Sequence, residues 1–246
     1  MEKQKTQIIY GRHPILDALK SGEPFEKIML QQGVHGEFEK EVRHLCKKHN
    51  ITMRVVPKEA LNRINRGNHQ GVIGILSLIT YYKLEDVLPS IYEKNEVPLI
   101  VLLDNVTDVR NFGAIARSAE CSGAHALVVP KKGSALINAE ALKTAAGALT
   151  KIPVCRESSL TKAIELLQLS GIQVLASSLK AKKMIFELDM NIPTALVIGS
   201  EGDGIGVAVE RAADELFIIP QVGTTDSFNV SVAAGIMLYE VMRQRR

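Results

Sequence analysis

The stretch TALVIGSEGDGIG, residues 194–206, decides the class of fold. TALVI is an almost unbroken apolar run, which is typical of a strand buried on both faces of a parallel sheet. Four glycines follow at positions 199, 202, 204 and 206, where they allow left-handed turns and a close approach of the backbone to a ligand. Because α/β sheets bind ligands at the carboxyl ends of their strands, the stretch predicts a binding loop in such a sheet. A glycine-rich turn without a binding role is the alternative.

The glycine loop matches neither of the common phosphate-binding motifs. A G-x-G-x-x-G motif starting at Gly202 needs glycine at Val207, and a P-loop starting at Gly199 needs lysine at Ile205. A dinucleotide-dependent oxidoreductase, which α/β alternation alone suggests, is therefore disfavoured. Glu201 is the carboxylate held within this loop, either as a functional group or as a solvated turn residue.

Further apolar runs on both sides of this loop extend the parallel α/β pattern over residues 98–246. They are PLIVLLD from residue 98, HALVVP from 125, KIPVC from 151, IQVLASS from 172 and ELFIIP from 215. The last helix, from about Asn229 to Arg243, is apolar almost all round. We expect it to be buried by the sheet or by another subunit.

Residues 1–79 alternate short strands and helices and predict a separate small α/β domain. The strands are KIMLQQ, ITMRVV and GVIGILSLI, with a helix from about Gly36 to His49 and a short helix after Pro57. Residues 80–97 show little periodicity and are interpreted as a linker. Residues 1–75 hold 13 Lys and Arg against 8 Asp and Glu, although the whole chain has a net charge of only +3. This basic excess favours a polyanionic partner for the front domain, and surface solubility is the alternative.

Composition excludes several classes of protein. Hydrophobic residues make up 46% of the chain, enough for ordinary cores. No apolar run of about 18 residues and no signal-peptide pattern is present, so the sequence predicts a cytoplasmic protein without a membrane span. Cys46, Cys121 and Cys155 are widely spaced and not grouped with histidines. The sequence therefore predicts no metal site and no nucleophile triad.

Two more segments after buried strands carry polar residues that a plain α/β fold does not need. In DNVTDVRNFGAIARSAE, Asn111 and Gly113 open a helix in which Arg117 stands among alanines. That arginine either reaches to solvent or is held toward a pocket. In IIPQVGTTDSFNVSVAAG, three polar residues crowd a helix start: Ser227, Asn229 and Ser231. Helix capping by Asp226 or Ser227 accounts for one polar residue there and leaves the rest unexplained.

An amide-rich turn in the front domain, Asn68-His69-Gln70-Gly71, lies close in sequence to Arg63 and Arg66. A histidine in such a basic setting is a candidate for stacking and hydrogen bonding to RNA. An ordinary turn before a strand is the alternative.

Together the three polar segments closely resemble the sequence motifs of the SpoU/TrmH branch of the SPOUT methyltransferases. The motifs are N-x-G-A-I-A-R at 111–117, L-V-I-G-S-E-G-x-G at 196–204 and I-P-x-x-G-x-x-x-S-x-N-V-S-V-A at 219–233, in the family's order. The front domain is similar to the L30e-like substrate-binding domain of this family's ribosomal RNA members. That similarity rests on Gly11-Arg12-His13 and His69-Gln70-Gly71.

The resemblance implies a parallel sheet with a deep trefoil knot near the C-terminus, and a homodimer. The resemblance also implies S-adenosylmethionine as the cofactor. Its implied contacts are with Gly199, Ile219 and Phe228, largely through their backbone groups. Phe228 stands where many relatives have leucine, so we expect a somewhat reshaped pocket. The implied catalytic set is Asn111, Arg117, Glu201, Ser227 and Asn229. The implied RNA-binding set is Arg12, His13, Arg63, Arg66, His69 and Gln70.

The implied activity is methylation of a ribose 2′-oxygen in RNA. The two-domain layout most resembles enzymes that form 2′-O-methylguanosine in the peptidyl-transferase P loop of 23S ribosomal RNA. A transfer-RNA ribose methyltransferase of the same fold is the second interpretation. A non-catalytic RNA-binding or ribosome-assembly factor is the third, and the presence of Arg117, Glu201 and Asn229 argues against it.

Overall fold

A computed structural model describes residues 7–135 and 137–246 of the chain. These residues form two compact units. The first comprises residues up to Thr80 together with the short segment 137–139, and the second comprises the remainder from Tyr81 onward. Within the described residues, no helix is long and apolar enough to cross a membrane.

The first unit is a four-stranded mixed sheet with three helices. Its elements are β1 (Ile8–Tyr10), α1 (Arg12–Lys20), β2 (Phe25–Gln31), α2 (Glu37–Lys48), β3 (Thr52–Val56), α3 (Lys58–Ile64) and β4 (Val72–Leu76). The strand order is β1-β4-β2-β3, in which β2 and β3 are parallel and β4 is antiparallel to both of its neighbours.

Both faces of this first sheet are covered by apolar side chains. One core joins α1 and α2 to the sheet through residues such as Leu19, Val42 and Ile28, and a smaller one places Leu61 of α3 beside Ile73. The predicted strands and helices from residue 27 onward are present. Strand β1 and helix α1 were not predicted, because three strand residues and a nine-residue helix give little periodicity in the sequence.

The second unit is a seven-stranded, fully parallel sheet between two layers of helices. Its strands are β5 (Tyr81–Tyr82), β6 (Leu99–Leu103), β7 (Ala126–Pro130), β8 (Val154–Glu157), β9 (Gln173–Ser177), β10 (Thr194–Ile198) and β11 (Glu215–Phe217). Its helices are α4 (Leu84–Glu93), α5 (Val109–Cys121), α6 (Ala139–Ala145), α7 (Leu160–Leu169), α8 (Val207–Ala212) and α9 (Val230–Gln244). The strand order is β11-β9-β10-β6-β7-β8-β5, and every pair is parallel.

The central strands are apolar because helices cover both of their faces. Residues of α4, α7 and α8 share one continuous core with side chains of the sheet. Helices α5 and α9 pack against each other, and α9 also contacts β10. The predicted α/β class with a parallel sheet is therefore confirmed.

The interpretation of residues 80–97 as a linker needs correction, since they form β5 and α4 of the second unit. Leu84, Val87, Leu88 and Ile91 are buried in its core at helical spacing. Pro89 and the surrounding charges obscure this spacing in the sequence. Pro89 removes one backbone hydrogen bond from the helix, and it lies on the exposed side, where water can reach the freed carbonyl oxygen.

The last helix, predicted to be apolar almost all round, is buried on only part of its surface. Val230, Ala234, Met237, Leu238 and Val241 face the protein interior. Val232 and Tyr239 are 51% and 62% exposed. Helix α5 and, to a smaller extent, the sheet therefore cover one face of α9 and leave apolar side chains on the surface of the single chain.

Candidate active site

The loop after β10 is folded back on itself by its glycines. Ser200 and Gly204 exchange backbone hydrogen bonds of 3.0 and 3.1 Å. Gly202 and Gly204 have φ angles of 90° and 68°, which side chains disfavour. A Cβ atom on Gly199 would lie 2.2 Å from the carbonyl carbon of Gly204. Glycine at 199 is therefore required by a close approach of two backbone segments.

A buried carboxylate holds the far end of this loop. Asp104, directly after β6, is 6% exposed and accepts a 2.7 Å hydrogen bond at Oδ2 from the backbone amide of Gly206. Its Oδ1 accepts a second bond of 3.0 Å from the side chain of Asn105. Because β6 and β10 are neighbours in the sheet, Asp104 ties together the loops that follow them.

Three side chains from the three polar segments meet in one hydrogen-bonded cluster. Glu201 Oε1 accepts from Asn229 Nδ2 at 2.5 Å and from Asn111 Nδ2 at 3.1 Å. Asn229 Nδ2 also donates to Asn111 Oδ1 at 3.1 Å. We call these residues the Asn111–Glu201–Asn229 cluster. Asn111 lies 90 positions before Glu201, and Asn229 lies 28 positions after it. Only the fold brings the three side chains together.

Helix capping positions two members of the cluster. Asn229 is the N-cap of α9, and its Oδ1 accepts from the backbone amides of Ser231 and Val232. The cap is therefore Asn229 and not Asp226 or Ser227, because the helix starts later than those residues allow. Asp108 caps α5 and accepts from the amide of Asn111 at 2.8 Å. Asp108 was not among the predicted site residues, although an aspartate three residues before Asn111 matches the N-cap preference.

A cavity of about 230 Å³ opens beside the cluster, between the glycine loop and the segment that leads into α9. Five of the residues predicted for the site line it: Gly199, Glu201, Ile219, Ser227 and Phe228. Ile205 and Met237 add apolar surface to its wall. This mixture of apolar and polar lining suits a purine ring, and the close approach of Gly204 leaves no room for a side chain at Gly199.

One wall of this cavity consists of residues that were not predicted from the sequence. Ser178 and Lys180, after β9, and Glu210 of α8 line it. The signal for Ser178 was present, because the run IQVLASS ends in serines at the carboxyl end of a parallel strand, where ligands bind. Nothing in the sequence indicated that Glu210 faces the same space.

Arg117 lies apart from the cavity. It is exposed on α5, and it makes no hydrogen bond or ion pair with any residue in ranges 7–135 and 137–246. Of the two alternatives drawn from the sequence, its side chain reaches to solvent and is not held in a pocket of the same chain. Its guanidinium is thus left with all five donors for a partner.

In the first unit, a groove of about 850 Å³ gathers five of the six residues predicted to bind RNA. Its lining includes Arg12, His13, Arg66, His69 and Gln70, with Lys58 as a further cation, and excludes Arg63. The side chain of Gln70 accepts from the amide of Arg12 at 2.9 Å, in the first turn of α1. The turn and the helix start are therefore joined at the groove.

His69 is not available to stack on RNA, which corrects that hypothesis. His69 is only 5% exposed. Its Nδ1 accepts from the amide of Gly71 at 3.1 Å, and its Nε2 donates to Asn62 Oδ1 at 2.9 Å. His69 therefore fixes the turn that presents its neighbours Arg66 and Gln70.

The thiols and potential metal ligands are scattered. Cys46 and Cys155 are buried, and Cys121 is exposed. Burial raises the pKa of the Cys155 thiol to about 12. No three His, Cys, Asp or Glu side chains among the described residues are grouped as metal ligands.

Comparisons with known proteins agree with this geometry. The family model described as SpoU rRNA Methylase family matches residues 98–239. A second model, RNA 2′-O ribose methyltransferase substrate binding, matches residues 8–82. A putative TrmH family tRNA/rRNA methyltransferase of Bacillus subtilis is 36% identical, over 98% of this chain and 97% of that protein.

Two solved structures with bound AdoMet (S-adenosylmethionine) are similar over nearly the whole chain. One is the SpoU methyltransferase AviRb of Streptomyces viridochromogenes, with a TM-score of 0.61, 25% identity and coverage of 97% of this chain and 90% of that one. The other is an rRNA methyltransferase of Sinorhizobium meliloti, with a TM-score of 0.60, 26% identity and coverage of 98% and 88%.

The parallel sheet, the glycine loop and the cavity at the strand ends define the catalytic unit of an RNA methyltransferase that uses S-adenosylmethionine. The chain belongs to the SpoU rRNA methylase family.

Proposed function

We propose that this protein methylates the 2′-oxygen of a ribose in RNA. The observation that carries the proposal is the Asn111–Glu201–Asn229 cluster, which joins all three family motifs at the mouth of the cavity. Two amides held by one carboxylate are suited to orient a neutral, hydrogen-bonding ribose. The family model that matches residues 8–82, described for 2′-O ribose methyltransferases, supports the same position of attack.

The cofactor fits the cavity through Gly199, Ile219 and Phe228. All three line it, and because no Cβ fits at Gly199, the backbone itself forms the cavity wall at that position. When bound, S-adenosylmethionine supplies an electrophilic methyl group on a sulfonium. The protein's part is to align the ribose oxygen with that methyl and to exclude competing geometries.

Each residue of the proposed catalytic set has a distinct role. Asn111, whose Nδ2 keeps one hydrogen free of any partner among the described residues, positions the ribose, whereas Asn229 positions the loops and Glu201 orients both amides. Ser227, on the cavity wall, holds the substrate side of the site. Arg117 stabilises the developing alkoxide and the adjacent RNA phosphate, because a guanidinium with a pKa above about 12 serves as a donor and not as a base.

A homodimer completes this proposal. Val232 and Tyr239 lie exposed and seven residues apart on α9, with the half-buried Ile236 between them. Residues spaced in this way share one face of a helix, so α9 presents an apolar stripe. A second copy that covers the stripe of α9 would also bring new neighbours to the adjacent α5, which carries Arg117, a side chain without a partner among the described residues.

For the substrate, we propose a guanosine in the P loop of 23S ribosomal RNA. The support is the front unit with its basic groove of Arg12, Lys58 and Arg66 around the His69 turn. In this assignment residues 1–79 are an L30e-like RNA-binding domain, the second unit from Tyr81 onward is the methyltransferase domain with its trefoil knot, and the protein acts in the cytoplasm. The related Bacillus protein is named for both tRNA and rRNA, which favours a transfer-RNA ribose as the second candidate.

Transfer of labelled methyl from S-adenosylmethionine to naked 23S ribosomal RNA and, separately, to bulk transfer RNA tests the proposal. Nuclease mapping identifies the product. Label in a 2′-O-methylguanosine of the P loop is the expected result, and label only in transfer RNA would select the second candidate. Cofactor binding without transfer to either RNA, or to ribosomal precursor particles, would contradict the enzyme and favour a binding factor.

A further inference from the structure

One wall of the cavity carries charge that none of the family motifs contributes. Glu210, in the middle of α8, and Lys180, in the loop after β9, both line the cavity beside Ser178. None of these residues belongs to the Asn111–Glu201–Asn229 cluster or to the backbone cradle at Gly199. The wall is therefore a separate feature of the same space.

Glu210 is a shielded carboxylate with weak partners. Its side chain is only 17% exposed. Lys180 Nζ lies 3.8 Å from Oε2, and Ser178 Oγ lies 3.4 Å from Oε1, both long for charged hydrogen bonds. A carboxylate that has lost most of its water needs stronger partners than these. Two donors of a ligand in the cavity would supply them.

A nearby ion pair in the same region has a much shorter distance between its charged groups. Lys183 Nζ lies 2.6 Å from Glu215 Oε1, and both side chains are more than 40% exposed. Neither residue lines the cavity. A lysine of the loop after β9 can therefore form a short ion pair. The long contact is the one between Lys180 and Glu210, the carboxylate that faces the cavity.

The sheet order decides which end of the cofactor meets this wall. β10 lies between β6 and β9. The cluster stands on the β6 side, since Asn111 belongs to the helix that follows β6, whereas Ser178 follows β9. If the reactive sulfonium points to the cluster, as the proposed function requires, the nucleoside end of the cofactor extends toward Ser178 and Glu210.

We propose that Glu210 binds the ribose diol of S-adenosylmethionine, with the Ser178 hydroxyl as an auxiliary partner. The two carboxylate oxygens match two adjacent hydroxyl donors, and such bonds are short, about 2.5–2.7 Å. An acidic side chain reads ribose hydroxyls in the same way in dinucleotide-binding folds. Glu210 is thus a specificity residue for a ribonucleoside cofactor, and this assignment rests on the proposed function of the cavity.

Calorimetric binding of methylthioadenosine and of its 2′-deoxy and 3′-deoxy forms tests this assignment without any methyl transfer. We expect the wild-type protein to bind the complete ribose about 10- to 100-fold more tightly than either deoxy form. Glu210→Gln and Glu210→Ala should reduce that preference to about 3-fold or less, and Ser178→Ala should reduce it partly. The control Glu215→Gln should keep the full preference.

Equal losses for the complete and deoxy ligands in the Glu210 variants would overturn the assignment, as would an unchanged preference. Glu210→Asp, with the carboxylate withdrawn by one methylene, keeps the test available if the other variants do not fold, and it should show an intermediate preference. If the wild-type protein binds S-adenosylmethionine and the preference is absent, only this inference fails. If it binds neither S-adenosylmethionine nor methylthioadenosine, the proposed function fails with it.

Discussion

Glu201 Oε1 lies 2.5 Å from Asn229 Nδ2, and this contact links the glycine loop after β10 to the N-cap of the last helix. The same oxygen accepts from Asn111 at the start of α5. One carboxylate thus aligns two amides from distant segments.

Replacing Glu201 with alanine should lower methyl transfer by about 100-fold or more, because both amides lose their common acceptor. Binding of S-adenosylmethionine should change by less than about 5-fold, since the backbone cradle remains. Filter binding and single-turnover transfer measure the two effects. Glu165→Gln, an exposed change on α7 outside the cavity, is the control and should leave both values unchanged. Normal transfer by Glu201→Ala would remove Glu201 from the catalytic set.

Asn229 has two functions, and serine separates them. Asn229→Ser keeps an N-cap oxygen for α9, so the free energy of unfolding should stay within about 0.5 kcal/mol of wild type. It removes the amide that donates to Glu201, so transfer should fall by about 10- to 100-fold. Asn229→Ala should lose the same activity and also about 1 kcal/mol of stability. Urea titration and transfer assays measure both. If Asn229→Ser retains full activity, the residue acts only as a cap.

Gly199→Ala should abolish binding of S-adenosylmethionine, because the added methyl group would overlap the backbone of Gly204 and displace the loop. We expect a lower melting temperature as well. Gly223→Ala is the control, since a Cβ at Gly223 has no heavy atom within 4 Å among the described residues. Calorimetry with the cofactor checks both variants. Wild-type affinity in Gly199→Ala would show that the close approach of these two backbone segments is not needed for binding.

Arg117→Ala should abolish methyl transfer and leave cofactor binding nearly intact, because Arg117 is outside the cavity and is proposed to act on the RNA and the reacting oxygen. Arg117→Lys should recover only a small part of the activity, since lysine keeps the charge and loses the planar pair of donors. The stability of both variants should match wild type because the side chain has no partner within the described chain. Retained transfer in Arg117→Ala would exclude it as the activating group.

Arg245 should be the most important single side chain for the stability of the C-terminal segment. Its guanidinium donates to the carbonyl oxygens of Val97, Pro98, Met190 and Ile192 at 2.8–3.0 Å. Burial lowers its pKa, yet the group stays charged at neutral pH. Arg245→Met leaves these carbonyls without their donor and should cost about 2–4 kcal/mol in the free energy of unfolding.

The adjacent Arg246→Ala serves as the control for Arg245, because Arg246 is exposed. Its free energy of unfolding should stay within about 0.5 kcal/mol of wild type. Urea denaturation followed by circular dichroism measures both variants. Equal stability of Arg245→Met and wild type would mean that water replaces the guanidinium at these carbonyls.

Much of the fold was predictable because its signals are local. Runs such as LIVLL and TALVI indicate strands buried on two faces, and they became neighbours β6 and β10. The helical spacing of Leu84, Val87, Leu88 and Ile91 was equally local, but Pro89 and flanking charges concealed it. Boundaries and short elements were least predictable, as α1 shows, since a nine-residue helix holds few periodic positions.

The sequence by itself determined the parallel α/β class, the family motifs and the residue types at the site. These properties depend on burial patterns and turn chemistry that each segment carries alone. Only the tertiary structure decided that Glu201 meets Asn111 and Asn229, that His69 is buried in its own turn, and that Glu210 faces the cavity. The reason is that such contacts join side chains from segments far apart in the chain, or depend on which face of an element is covered. No local pattern specifies either property.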